Sequence, residues 1–476
     1  MPANRSTIIA GLCLTVHLAC AQTNTSSPYS RYGIGERAQS TFAHNMGMGG
    51  AHIALKPDST MPLFVNPGNP ASYALIRLAS LEVGGRYQYT DYKTPGSGLY
   101  KWTTNFTYAT LGFPVGRRGG ACIGMMPYSS VGYNTEGVLS APSGELRQIF
   151  GGSGGTNKAF FGYGIMPFSR SALKFRYRNF SRPDSLPQRS HRSLMTGYFL
   201  SKMLSELSAG FNAEYLFGNM LHSSRIVYPG SQLYNNTYLE RSVTLGDFTG
   251  NFGVQTAITI DSVRNGARRR ALSEKSRFTF GFFMGLGNEL KALANSVAYN
   301  YVTTGTGQEL VRDTVTFEIE QPSVIRLPLE QGIGIGYKKG ERWNVVADLA
   351  VTRWSGFSAP FDAVRLTDNY RAGIGAAFVP EKFAAGRGAF WRRNHYRFGA
   401  SYETGYARVG GKDARTYYIS AGIGLPVGIG RISSMVNLSL QAGQTGSATN
   451  GLRENFFRVH MGFTFCDRWF QKFRYD

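Results

Sequence analysis

Ser153 lies within Gly151-Gly-Ser-Gly-Gly155, which fits the G-x-S-x-G pattern of a hydrolase nucleophile. Such a serine needs a strand before it and a helix after it, because that sharp turn exposes the hydroxyl to its histidine partner. Here the glycine run to Asn157 reads as a loop joining two strands, so it supplies no nucleophile. It also continues into Lys158 without the spacing of a phosphate-binding loop. His44, His52, His191, His222, His395 and His460 show no metal-ligand spacing, and no acid or serine is placed beside His395 or His460 by sequence. Cys122 and Cys466 fall in strand-like segments and make neither a disulfide framework nor a metal site. These residues argue against an enzyme and call for no catalytic residue, metal or cofactor.

The elements that carry these residues are strands. From Asn455 to Cys466, Phe457, Val459, Met461, Phe463 and Phe465 alternate with Arg458, His460, Gly462 and Thr464. Successive strand side chains point to opposite faces, so one face is apolar and the other polar. The pattern recurs at Leu81 to Thr90, Arg342 to Thr352, Tyr396 to Tyr406, Tyr417 to Val427 and Val436 to Gly443. The polar faces are rich in Gly, Ser, Thr, Asn and Gln, which suits a water-lined lumen. The expected fold is all-β, a transmembrane antiparallel barrel of about 14 strands. The last strand should close it by pairing with the first, near Leu81 to Tyr92. Composition agrees: 59 glycines, 13% aromatics and only 42% hydrophobic residues. No later segment has the roughly 18–20 uninterrupted apolar residues of a spanning helix.

Four regions follow. Residues 1–21 read as a signal peptide, with Arg5, an apolar core and Ala19-Cys-Ala21. Residues 22–78 do not alternate and read as a plug or periplasmic tail; residues 79–466 form the barrel, and 467–476 a basic aromatic tail. Export places the chain in the outer membrane. Tyr92, Trp102, Trp343, Trp354 and Trp391 stand near strand ends, where interfacial girdles form. Connections alternate between short turns and longer polar stretches such as 134–156, 222–239 and 355–369.

The formal charge is +22. Its clusters, Arg117-Arg118, Arg268-Arg-Arg270 and Arg392-Arg393, are short and scattered in turns, unlike a nucleic-acid footprint. Outer-membrane lipid and lipopolysaccharide headgroups are the better partners for a basic exported chain.

Gly47, Gly49-Gly50-Ala51, Asp58 and Asn69-Pro70-Ala71 form a spaced set that resembles the N-terminal region of FadL-type outer-membrane transporters of long-chain fatty acids and hydrophobic compounds. Ser27 to Gly35 and Gly462 to Phe470 also resemble members from Bacteroidetes-type bacteria. The resemblance implies a fourteen-stranded barrel plugged by its N-terminal segment. Gly47, Gly49, Gly50, Asn69, Pro70 and Ala71 would form the plug and gate. It further implies passive uptake of a hydrophobic small molecule that leaves through a gap at a kinked third strand. That strand here is Gly120 to Tyr133, with Gly124 and Pro127 as the kink residues. Proteins with the same N-terminal pattern also serve as outer-membrane partners of a secretion or surface-assembly system. A non-transporting barrel with a protein partner is therefore the alternative.

Overall fold

A computed structural model describes residues 25–57, 64–141, 144–168, 200–229, 234–260, 276–304, 306–361, 364–382, 384, 388–409, 411–427, 434–447 and 451–467. The expected signal peptide (1–21), Asp58, His191, Arg268 to Arg270 and the tail beyond Asp467 lie outside the described residues.

The short β1 (Glu36–Arg37) belongs to the N-terminal segment. The wall then runs through β2 (Ala79–Thr94), β3 (Ser97–Val115), β4 (Gly119–Ala141), β5 (Gly144–Ile165), β6 (Ser208–Val227) and β7 (Asn236–Ile260). It continues through β8 (Ser276–Gly285), β9 (Glu289–Thr303), β10 (Glu309–Arg326), β11 (Leu329–Lys339), β12 (Trp343–Arg353), β13 (Asn369–Phe378) and β14 (His395–Glu403). A small hairpin, β15 (Arg408–Val409) and β16 (Lys412–Asp413), precedes β17 (Thr416–Val427), β18 (Ser434–Ser447) and β19 (Leu452–Asp467). β8 and β9 pair in succession along β7, and β10 and β11 pair with β9 and β8, so each couple forms one wall strand. The wall is a closed antiparallel barrel of 14 strands. β19 closes it on β2, from Phe465 opposite Leu81 to Glu454 opposite Tyr92.

Alternation fixes what each face meets. Phe398, Ile419, Leu440, Met461 and Phe465 are exposed on the outside, whereas Ser439, Gln441 and His460 are buried inside. Fourteen strands bring both ends of the wall, Ala79 and Asp467, to one rim, the terminal rim. At the far rim β4 to β7, β9 and β10 are much longer than the roughly 9–11 residues that span a bilayer, so they rise beyond it. There Val131, Leu216, Leu290 and Ile325 pack with Ile34, Trp354 and Leu366 in one apolar cluster that caps the lumen.

Three expectations are corrected. Gly151 to Gly155 is not a loop: it lies within β5, where Ser153 pairs with Gly132 and Leu221, so no elbow exists. The polar stretches 134–156 and 222–239 are largely the far ends of long strands. Trp354 is no girdle residue either, being 1% exposed and stacked on Tyr406 at 4.4 Å. Trp102 does face outward, packed with Tyr87 and Tyr89.

Candidate functional site

The described residues 25–57 and 64–75 of the N-terminal segment lie in the lumen and touch the wall around its circumference. Phe42 precedes the single-turn helix α1 (Ala43–Met46) and stacks on Tyr108 at 4.1 Å. After α1 the chain turns sharply through Gly49 and Gly50, whose φ angles of 66° and 71° favour glycine. A second short turn, Pro70–Leu75, has Asn69 as its cap, with Pro70 in the first turn and the Ala71 N–H donating to Asn69 Oδ1 at 3.2 Å.

The two predicted motifs sit on opposite parts of the wall. Gly47, Met48 and Gly49 press against Gly422, Gly375 and Gly399, and Asn69 and Pro70 against Gly253, Gly210 and Gly164. A Cβ at most of these wall glycines would collide with lumenal backbone or with Asn69 itself. Much of the glycine content of this chain therefore has a steric cause: it lets two backbones approach.

Ile53 joins the motifs. Its carbonyl accepts from Asn69 Nδ2 and Gln255 Nε2, each at 2.8 Å, and its N–H donates to Asp348 Oδ2 at 2.7 Å. His52 N–H donates to the same carboxylate oxygen at 2.5 Å. Nearer the far rim, Arg37 pairs with Glu330 at 2.9 Å and Arg458 with Glu36 at 3.4 Å. Across the lumen Lys158 Nζ bonds Glu214 at 2.7 Å and Ser40 at 3.0 Å. Asn251 and Asn212 extend this network to the Pro67 carbonyl.

Electrostatics follow from enclosure. Burial raises the Glu36 carboxyl, but Arg458, Arg86 and the Thr25 hydroxyl outweigh it and hold the group below its ordinary range. Burial, with Arg397 and His395, drives His44 far below the ordinary imidazole value, and burial with Arg371 lowers His52 against the pull of Asp348. Both imidazoles are neutral at pH 7. The lumen holds a cavity of about 240 Å³ lined by Glu36, Arg37, Arg86, Glu330, Arg371 and Arg458, among others. Its surface is mixed: these charged groups share it with Met46, Phe106, Tyr108, Phe283 and Trp354. Among the described residues no group of histidines, cysteines and acids could hold a metal.

The pairing between β3 and β4 is short. The β3–β4 ladder runs only from Val115 opposite Gly119 to Ala109 opposite Met125. Beyond it, β4 carries a register shift between Pro127 and Ser129 and pairs with the lumenal β1 instead, Ser129 with Arg37 and Ser130 with Glu36. Gly124 lies in the last paired part and Pro127 just past it. Asn105 to Tyr108 and Pro127 flank the break, and the lumenal cavity reaches them. Outside, Leu81, Ile123, Met125, Phe161 and Phe248 form an apolar depression at the same place.

A model of one protein family, BamG, matches residues 4–176 and 194–476. The chain belongs to the BamG family. No curated protein matches it in sequence. Among solved structures it is similar to a Pseudomonas aeruginosa FadL homologue, with TM-score 0.53 and 12% identity over 91% of this chain and 99% of that one. It is also similar to the P. putida toluene transporter TodX, with TM-score 0.50 and 13% identity over 91% and 100%. These likenesses show the fold, an outer-membrane β-barrel of FadL type, and place this BamG-family chain in the outer membrane.

Sequence reading missed the groups that seat the segment: Asp348, Glu330, Lys158 and Glu214. Their only signal was a charge on an inward-facing strand position, which a lumen facing water would show equally. The aliphatic and glycine positions were visible; their partners, up to 396 residues away, were not.

Proposed function

We propose that this BamG-family barrel works from its outer surfaces, as the membrane-embedded partner of another outer-membrane or surface-assembly protein, with its lumen held shut. The carrying observation is the lumenal segment, buttressed by wall glycines around the barrel and bonded through Asp348, Gln255 and Ser420. Membership of the BamG family rather than a FadL family points the same way. A hydrocarbon crossing this lumen would have to displace ion pairs, which costs several kcal/mol for each charge left unpaired. The test is flux: purified full-length chain in proteoliposomes should pass toluene and oleate no faster than protein-free vesicles. It should also be isolated from native membranes in a stoichiometric complex with another polypeptide. Flux well above background, with no such complex, overturns the reading.

One observation favours a second reading, uptake of a hydrophobic compound with lateral exit. The β3–β4 ladder stops at Met125, and the cavity meets the wall there beside the outer apolar depression. In this reading Gly124 and Pro127 form the kink, and Gly47, Gly49, Gly50 and Asn69 to Ala71 hold the plug. A disulfide between β3 and β4 across the break would then abolish flux.

A further inference from the structure

β10 is exposed along almost its whole length, although it belongs to a long sheet. Among the described residues its ladder partner is β9 alone. The neighbour that would cover its other edge, β12, ends at Arg353 opposite Leu329, and only a single bridge from Arg326 to Ser358 follows. Above that bridge, among the described residues, the outer edge of β10 meets nothing. From Glu309 to Ile325 the edge facing away from β9 therefore presents unpaired N–H and C=O groups over roughly 50 Å at the rise of an extended chain. It is interrupted at the bulge, where the Glu320 N–H donates to Asn295 Oδ1 and the Ile319 carbonyl accepts from Gln321 Nε2.

The edge is also apolar where water should be. Phe317 is 71% exposed, Val315 62%, and Val311 and Leu310 about half. Lipid does not account for these side chains. They stand beyond Val324 on the far side of the barrel, well past the band formed by Ile333, Ile335 and Leu349 on β11 and β12. Soluble edges are normally blunted by charge or covered by another element. Here charge is present, but of the sign opposite to the rest of the molecule. Residues 309–320 carry four carboxylates and one arginine on a chain of net charge +22. Glu309 is paired with Arg225, while Asp313, Glu318 and Glu320 make no ion pair among the described residues.

We propose that the outer edge of β10 docks an extended, Lys- or Arg-bearing segment of a partner polypeptide. The inference rests on the partner reading above and names its surface. Main-chain pairing to an open edge supplies affinity, and alternate side chains supply specificity. Three register shifts, after Val311, Thr314 and Glu318, divide the edge into short runs. Pairing is then local, and Val315, Phe317 and the three free carboxylates select the segment. The same carboxylates repel the phosphates of an anionic lipid surface, which disfavours lipopolysaccharide at this site.

The test places a photo-reactive phenylalanine analogue at Val315 or Phe317 of the full chain in native membranes and identifies the crosslinked residues by mass spectrometry. The expected product is one basic, extended segment of one other polypeptide. Its yield should fall at least tenfold when D313K, E318K and E320K are combined, with barrel circular dichroism unchanged. A variant lacking residues 295–320, with Ala294 joined to its ladder partner Gln321 by a short turn, should lose the same partner if the triple variant misfolds. Crosslinks to lipopolysaccharide, to a second copy of this chain, to scattered proteins, or to nothing overturn the proposal. If a stoichiometric partner still co-isolates while the edge gives no crosslink, only this surface is wrong. If no polypeptide co-isolates with the unmodified chain, the partner reading itself fails.

Discussion

Asp348 Oδ2 on β12 accepts the backbone N–H groups of both His52 and Ile53, at 2.5 and 2.7 Å. One inward carboxylate thus fixes the turn that links the two motifs of the lumenal segment. Replacing it leaves two buried donors without an acceptor, and each such orphan costs about 1–3 kcal/mol. D348A should lower the unfolding midpoint in detergent by an amount equivalent to about 3 kcal/mol, with strand content retained. An unchanged midpoint would show that the segment is seated by something else.

The glycine contacts give a sharper contrast. A Cβ at Gly399 or Gly210 would strike lumenal backbone, whereas one at Gly137 or Gly356 would meet nothing within 4 Å. G399V and G210V should unseat the segment and make residues 25–75 accessible to protease. G137A and G356A should leave it resistant. Equal protease sensitivity in both pairs would remove the cradle from the account.

Lys158 and Glu214 form an ion pair with both side chains no more than 5% exposed. Removing one partner strands a buried charge, which typically costs about 3–5 kcal/mol, while replacing both is far milder. K158M should destabilise strongly, and E214Q added to K158M should recover a large part of the loss. A double variant as unstable as the sum of both singles would deny the coupling.

The pH response follows from the lumenal groups. His44 and His52 have lowered values in the folded chain, so the unfolded chain takes up protons near the ordinary 6.5 while the folded chain does not. Their contribution is present above pH 6.5 and is lost as pH falls below it. Glu36 is also lowered, so its contribution is present above its ordinary 4.5 and is lost on further acidification. Replacing His44 and His52 by glutamine should remove this share of the pH dependence, so that the variant's thermal midpoint gains on the parent's as pH falls below about 6.5. A difference between the two that does not change with pH contradicts these assignments.

The wall was legible because lipid imposes a period. Phe457 to Phe465 and Tyr417 to Leu425 alternate since one face meets hydrocarbon, and that alone identified the closing strand. Beyond the bilayer neither face meets lipid, so the strand ends at 134–156 and 222–239 lost the period and read as loops. Gly151 to Gly155 misled for another reason. Glycine is common in loops, yet here Gly154 and Gly155 adopt φ of 99° and 144° inside β5, beside the shifted register at Pro127 and Ser129. Trp354 stood at a strand end like a girdle residue, but the connection after it folds inward over the lumen. The pairing of Arg37 with Glu330 depends on how the segment lies in the lumen, which no local pattern encodes.

Amide hydrogen exchange of residues 43–55 in the full-length chain tests the closed lumen most directly. Exchange as slow as that of β12 and β17 is the result predicted for a segment fixed to the wall. Exchange faster by several orders of magnitude, with the wall still protected, would show a segment that leaves the lumen and would contradict a barrel held shut.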